Sequence, residues 1–120
     1  MKNIWKDQNV LIIGAARQGL ALARYLTSRS ANVTLNDNRS QAELNNEFEI
    51  MDNYEIQWHI GDHSLSLLDG KDLISVSGGV PLNIPLISEA QKRGIPFTND
   101  SQIFISEVSS PVIAITGSAG

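Results

Sequence analysis

The chain has 120 residues, with 9 Lys and Arg against 13 Asp and Glu, a net charge of −4 and no cysteine. That is one domain's length, and 42% hydrophobic with 18% charged residues is the composition of a globular chain rather than a disordered one. The acidic balance argues against a nucleic-acid surface, and without cysteine there is no disulfide, thiolate nucleophile or cysteine zinc site, which leaves His59 and His63 as imidazole ligands. No run approaches the roughly 20 apolar residues of a membrane span, and Met1 to Asp7 is not followed by the apolar core of a signal peptide. A cytoplasmic domain bound to neither membrane nor nucleic acid is expected.

Short apolar runs alternate with helical patterns along the chain. Asn9 to Ile13 reads as a strand buried on both faces. Gly19, Leu22, Ala23 and Leu26 then recur at the spacing of one helix face, with small residues that allow close approach to a sheet. Asn32 to Asn36 is β-prone. Ser40-Gln41-Ala42-Glu43 has the form of a capping box, continued by Leu44, Phe48 and Met51 as a helix face. Glu55 to Ile60 alternates, with Ile56, Trp58 and Ile60 on one side, as in an edge strand. Asp72 to Ser77 is a fourth strand. Pro85 to Arg93 is a helix stopped by Gly94, and Ile95 to Thr98 a fifth strand. Asp100 or Ser101 is placed to cap a short helix carrying Ile103 and Phe104, and Pro111 to Thr116 is a sixth apolar run. The alternation predicts an α/β, three-layer Rossmann-like domain with a parallel sheet of about five strands in the order 3-2-1-4-5. Its ligand crevice is expected at the carboxyl ends of the strands.

Four turns fall where such a crevice needs chemistry. Gly14-Ala15-Ala16-Arg17-Gln18-Gly19 joins the first strand to the first helix. It keeps the glycine of the tight turn and the glycine of helix–strand packing, with Ala16 where a dinucleotide fingerprint has its middle glycine. The helix amides that follow suit a phosphate; a plain βα turn is the alternative. Asp37-Asn38-Arg39 follows the second strand, 18 residues beyond Gly19 for Asp37. The carboxylate suits a ribose hydroxyl or a base N–H, and the guanidinium a phosphate or a base face; an ordinary Asn/Asp turn is the alternative. Ser77-Gly78-Gly79-Val80-Pro81 faces the first turn across the switch point and can turn amides toward an anion, or serve as a flexible loop. Thr116-Gly117-Ser118-Ala119-Gly120 reads as the first half of a P-loop, without its Lys-Ser/Thr. His59 and His63 are expected to be ordinary surface or core histidines rather than metal ligands, and Trp58 core packing.

In their order and spacing these segments resemble the N-terminal domain of the Mur ligases, in the branch that adds D-glutamate. The resemblance runs from Asn9-Val10-Leu11-Ile12-Ile13-Gly14 and Gly19-Leu20, through Asp37-Asn38-Arg39 and Ser77-Gly78-Gly79-Val80-Pro81 with Pro85, to Asn99-Asp100-Ser101-Gln102-Ile103-Phe104 and Ala114 to Gly120. It implies that residues 1–110 bind the UDP part of UDP-N-acetylmuramoyl-L-alanine, and that 111–120 open a central domain that binds ATP and Mg2+. Arg17 and Gln18 would lie beside the uracil or the phosphates, with Gly14 and Ala16 in the same turn. Asp37, Asn38 and Arg39 would hold the uracil, and Ser77, Gly78 and Gly79 would line the diphosphate. Gly117, Ser118, Ala119 and Gly120 would begin the ATP loop. The implied reaction is ATP-driven amide formation through an acyl phosphate in peptidoglycan precursor synthesis. The catalytic lysine, metal ligands and D-glutamate site would lie beyond residue 120, so these residues alone would need no cofactor and be inactive. The sequence departs from the family at Gly78, where proline is usual, and at Gln102, where glutamate is usual. The alternative is an NAD(P)-binding Rossmann domain of an oxidoreductase, or a nucleotide-sensing module.

Overall fold

The computed structural model describes residues 4–77 and 80–98. In chain order these form β1 (Asn9–Ile13), α1 (Arg17–Ser28), β2 (Asn32–Asp37), α2 (Asn45–Ile50), β3 (Gln57–Ile60), a 3₁₀ turn (Leu65–Leu68), β4 (Leu73–Val76), α3 (Pro85–Lys92) and β5 (Phe97–Thr98). The five strands make one sheet in the order β3-β2-β1-β4-β5, and every pairing is parallel. Both the strand order and the edge position of β3 match the expectation from sequence. The expected short helix after Asp100, the sixth apolar run, the P-loop residues 117–120 and the domain boundary at 110 lie outside the described residues.

Alternation along β1 divides the core into two layers. Val10 and Ile12 face one side, where they meet Leu20, Leu22, Ala23 and Leu26 of α1 and Val33 and Leu35 of β2. Leu11 and Ile13 face the other, with Leu67, Leu68, Ile74 and, from α3, Leu86, Ile87 and Ala90. A central parallel strand covered on both faces has to be apolar at every position, and Val10 to Ile13 are all essentially inaccessible. At the edge, Trp58 packs edge-to-face on Phe48, with ring centroids 4.5 Å apart.

The capping box forms as expected: Ser40 N–H donates to Glu43 Oε1 at 2.9 Å, and Glu43 N–H to Ser40 Oγ at 3.3 Å. The helix it was expected to open nevertheless begins only at Asn45, with 41–44 as a turn. Leu44 and Met51 flank the resulting six-residue helix and are buried; they anchor the segment more than its own hydrogen bonds do. The 3₁₀ turn was not expected. It is started by Ser64, whose side chain accepts from Ser66 N–H, and it buries Leu67 and Leu68 in too few residues to show a period.

Register brings the carboxyl ends level. Ile13 pairs with Asn36 of β2 on one side and with Val76 of β4 on the other. The chain therefore leaves the sheet at Gly14, Asp37 and Ser77 side by side. This is also where the strand order reverses, with β2 and β3 on one side of β1 and β4 and β5 on the other.

Candidate functional site

The turn after β1 is built around two glycines whose reasons differ. Gly14 has φ of +102°, a conformation that side chains resist. A Cβ there would also sit 2.8 Å from Ser77 Cβ and 2.9 Å from Val80 Cγ2. Gly19 has no such backbone demand. A Cβ on it would meet the carbonyl oxygen of Gly14 at 2.5 Å and Ser77 Oγ at 3.0 Å, so its absence lets α1 close on the end of β1. Ala16, by contrast, is exposed with φ −83° and ψ 175°, ordinary extended backbone that alanine adopts freely. Nothing in the turn demands the glycine that the sequence lacks there.

Ala16 is the N-cap of α1, and it supplies no capping side chain; the first turn has no acidic residue either. The first bond of the helix runs from Leu20 N–H to Ala16 C=O at 2.9 Å. The amides before it have no acceptor within the helix, and the positive end of the dipole stands open beside β2 and β4.

Asp37 ties this turn to the end of β2. Its Oδ2 accepts from Ala15 N–H at 2.8 Å and from Arg39 Nη2 at 3.0 Å. Its Oδ1 accepts from Arg39 N–H at 2.9 Å and Arg39 Nε at 3.0 Å. Burial alone would raise this carboxyl. The Arg39 guanidinium, then the amides of Ala15 and Arg39, outweigh it and hold the group at about 2. The carboxylate expected to meet a nucleotide thus has both oxygens doubly engaged by the protein. Arg39 is clamped in a fork on Asp37 and also reaches Ala15 C=O at 3.4 Å, while its side chain remains 40% exposed.

Ser77 closes the third side. Its hydroxyl donates to Gly14 C=O at 2.9 Å, its amide donates to Ile13 C=O, and its carbonyl accepts from Val80 N–H. Ser77 is buried, so the hydroxyl holds two turns together. Ser77→Ala is expected to lower stability by about 1 kcal/mol, read as a lower urea midpoint with an unchanged slope.

These turns enclose a cavity of about 300 Å³ lined by Gly14, Ala15, Ala16, Asp37, Asn38, Arg39, His63, Ser77, Val80 and Pro81. Of the residues singled out from sequence, Gly14, Ala16, Asp37, Asn38, Arg39 and Ser77 are brought together here. Arg17 and Gln18 begin α1 and are exposed, outside the lining. Gly78 and Gly79, like Gly117 to Gly120, lie outside the described residues. His63 is the lining residue that sequence reasoning set aside. The larger hollow, about 700 Å³, lies at the opposite, amino ends of β1 and β2 beside Asn9, Asn32, Gln57 and Lys71, away from the crevice where open parallel sheets take their ligands. His59 pairs with Asp62 at 2.6 Å, and no group of three metal-binding side chains occurs among the described residues. No helix among them is long and apolar enough to cross a membrane.

Comparison with known proteins places the chain in a family. Residues 8–99 match the family model described as Mur ligase MurD-like, N-terminal domain. Over 116 residues, 97% of this chain and 26% of the relative, the chain is 39% identical to UDP-N-acetylmuramoylalanine–D-glutamate ligase of Syntrophotalea carbinolica. It therefore spans about a quarter of that relative's length. In fold it resembles a murein peptide ligase of Psychrobacter arcticus, with a TM-score of 0.67 and 19% identity over 83% of this chain and 20% of that one. Shikimate dehydrogenase of Aquifex aeolicus shares the fold more loosely, with a TM-score of 0.57 and 14% identity over 80% of this chain and 43% of that one. Dehydrogenases share the layered sheet, but the family model and the 39% identity along nearly the whole chain point one way: the protein belongs to the MurD-like N-terminal domain family of the Mur ligases.

Proposed function

We propose that this chain binds the UDP moiety of UDP-N-acetylmuramoyl-L-alanine, as the N-terminal domain of an ATP-dependent ligase that adds D-glutamate during peptidoglycan precursor synthesis. The observation that carries the proposal is the uncapped α1 N-terminus opening beside Arg39 in the cavity at the strand ends, within a chain 39% identical to a D-glutamate ligase. Open amides and a dipole end suit a diphosphate. In this reading the α1 amides from Ala16 to Gln18 and the turn from Ser77 to Gly79 receive the diphosphate. Asn38 and Arg39 flank the nucleoside, and Asp37 fixes Arg39 in place. A cytoplasmic setting goes with this role.

The same reading divides the chain into a UDP-binding domain at 1–110 and the first strand and loop of an ATP-binding domain at 111–120. Gly117 to Gly120 would cradle ATP phosphates there, with Mg2+ supplying charge neutralisation when bound. Those residues lie outside the described ones, and the described residues offer no metal-ligand cluster. What this chain contributes is binding and orientation of one substrate. The oxidoreductase alternative has only a likeness of fold behind it, at 14% and 22% identity to two dehydrogenases.

An NMR titration with UDP, and in parallel with NADH, tests the proposal. Saturable shifts at Arg17, Gln18, Asp37 to Arg39 and Ser77 to Gly79 with UDP alone are the expected result. Saturation by NADH with no response to UDP would move the chain to the oxidoreductase reading.

A further inference from the structure

His63 lies in the loop after β3, and it lines the cavity half-buried. Its Nδ1 is 2.6 Å from Oδ1 of Asn36, a side chain with no accessible surface at the end of β2. The orientation of that amide is settled by its other end. Asn36 Nδ2 donates to His59 C=O at 2.9 Å and to Asp62 C=O at 2.8 Å. Oδ1 can only accept, so the hydrogen between the two residues belongs to His63 Nδ1. A neutral imidazole with its proton on Nδ1 has an acceptor lone pair on Nε2. No described residue donates to it.

The rest of the cavity makes that lone pair informative. Asp37, the carboxylate on its wall, has both oxygens doubly engaged by Ala15 and Arg39. Ser77 Oγ donates to Gly14 and is buried where the two turns meet, which withdraws it from the cavity surface. The α1 N-terminus offers donors and Arg39 offers a cation, both suited to phosphate oxygens. A nucleotide, however, also carries donors of its own, the N–H of its base and the hydroxyls of its ribose. Such a donor needs an acceptor that the protein has not already used. Among the lining side chains the exposed Asn38 amide and His63 Nε2 can supply one, and that of His63 is the one held in place by a buried partner.

We propose that His63, held by Asn36 with its proton on Nδ1, is a specificity-determining residue whose Nε2 accepts a hydrogen bond from the nucleoside part of the bound nucleotide. The inference rests on the UDP-binding reading and adds to it which side chain senses the nucleoside rather than the diphosphate. Asn36 is a positioning residue in this arrangement. It is a two-part device: one buried amide fixes both the loop, through the carbonyls of His59 and Asp62, and the tautomer of the ring that the loop carries.

The test uses the 120-residue chain with two probes, UDP and inorganic pyrophosphate, and reads the imidazole nitrogens of His63 by long-range proton–nitrogen correlation. At a pH where the ring is neutral, Nδ1 of the free protein should have the signature of a protonated nitrogen and Nε2 that of a bare one. UDP should shift Nε2 while leaving Nδ1 protonated, and pyrophosphate should leave Nε2 in place. His63→Ala should then weaken UDP by roughly tenfold, the size of one lost neutral hydrogen bond, and pyrophosphate by less than about twofold. His63→Gln, which keeps an acceptor, should recover part of the UDP affinity. If wild-type protein binds UDP while both nitrogens stay unmoved, or His63→Ala loses UDP and pyrophosphate equally, the assignment of His63 fails and the UDP reading stands. Absence of any UDP binding by wild-type protein overturns both. The nitrogen spectra of the wild-type chain decide the question even if the alanine variant does not fold.

Discussion

Asp37→Ala should lower the stability of the chain by about 1.5–3 kcal/mol, the range for hydrogen bonds to a charged group, and weaken UDP binding at the same time. The carboxylate joins three things: the amide of Ala15 in the first turn, and the amide and guanidinium of Arg39 after β2. Removing it leaves Ala15 N–H without its acceptor in a position 1% exposed, and frees Arg39 to swing into solvent. The same contacts give a pH signature. Asp37 is held at about 2, below its ordinary 3.8. Because the folded value is the lower one, its contribution is complete above about pH 4 and disappears as the pH falls toward 2. The displacement corresponds to about 2 kcal/mol. Urea unfolding of wild type and variant at pH 7 and in steps down to pH 2 should therefore show two curves that converge in acid. Parallel curves would mean that the carboxylate gains nothing from its fork with Arg39. Asp37→Asn, which can still accept from Ala15 but cannot pair with a cation, should fall between the two at pH 7.

Gly19→Ala should destabilise the chain although helix propensity alone argues the other way. Within an unpacked helix this change is worth a gain of about 1 kcal/mol. Here the new methyl would stand 2.5 Å from the Gly14 carbonyl oxygen, a backbone atom that also receives the Ser77 hydroxyl. Relief requires α1 to lift from β1 or the turn to deform, and overpacking of this kind costs about 1–3 kcal/mol. A net loss of roughly 1–2 kcal/mol is expected, together with weaker UDP binding, since the amides of the first turn move with the helix. A stabilised variant would show that helix and strand have slack where they meet. Circular dichroism melts combined with the UDP titration separate the two effects.

Much of this was legible in the residues themselves. The small-residue face of α1 and the alternation at Ile56, Trp58 and Ile60 each carry a period that points to one element type, and the apolar run of β1 is a strand by its shortness, its β-branched residues and the glycine that ends it. Their alternation leaves little choice of sheet order. The turn residues Gly14, Gly19, Asp37, Arg39 and Ser77 could be placed at one crevice because parallel strands bring their carboxyl ends together. Other features depended on partners distant in sequence. His63 looked like any polar loop residue, because its meaning comes from Asn36, 27 positions away. That Asp37 is already engaged could not be foreseen from Asp37-Asn38-Arg39, since the bonds depend on how the Arg39 side chain folds back. The late start of α2 and the 3₁₀ turn escaped for another reason: both are shaped by where Leu44, Met51, Leu67 and Leu68 reach the core, not by local propensity.

β1 is bonded on both edges and covered on both faces, whereas β5 has two residues and, among the described residues, one paired edge. Resistance to opening should fall away from the centre of the sheet toward its margins, so that amide protons of β1 exchange only when the whole chain unfolds while those of the outer strands escape through local fraying. The first turn of the candidate site starts at Gly14, one residue past the end of β1. The cavity is thus suspended from the element that opens last, and its shape can persist while the periphery of the domain breathes.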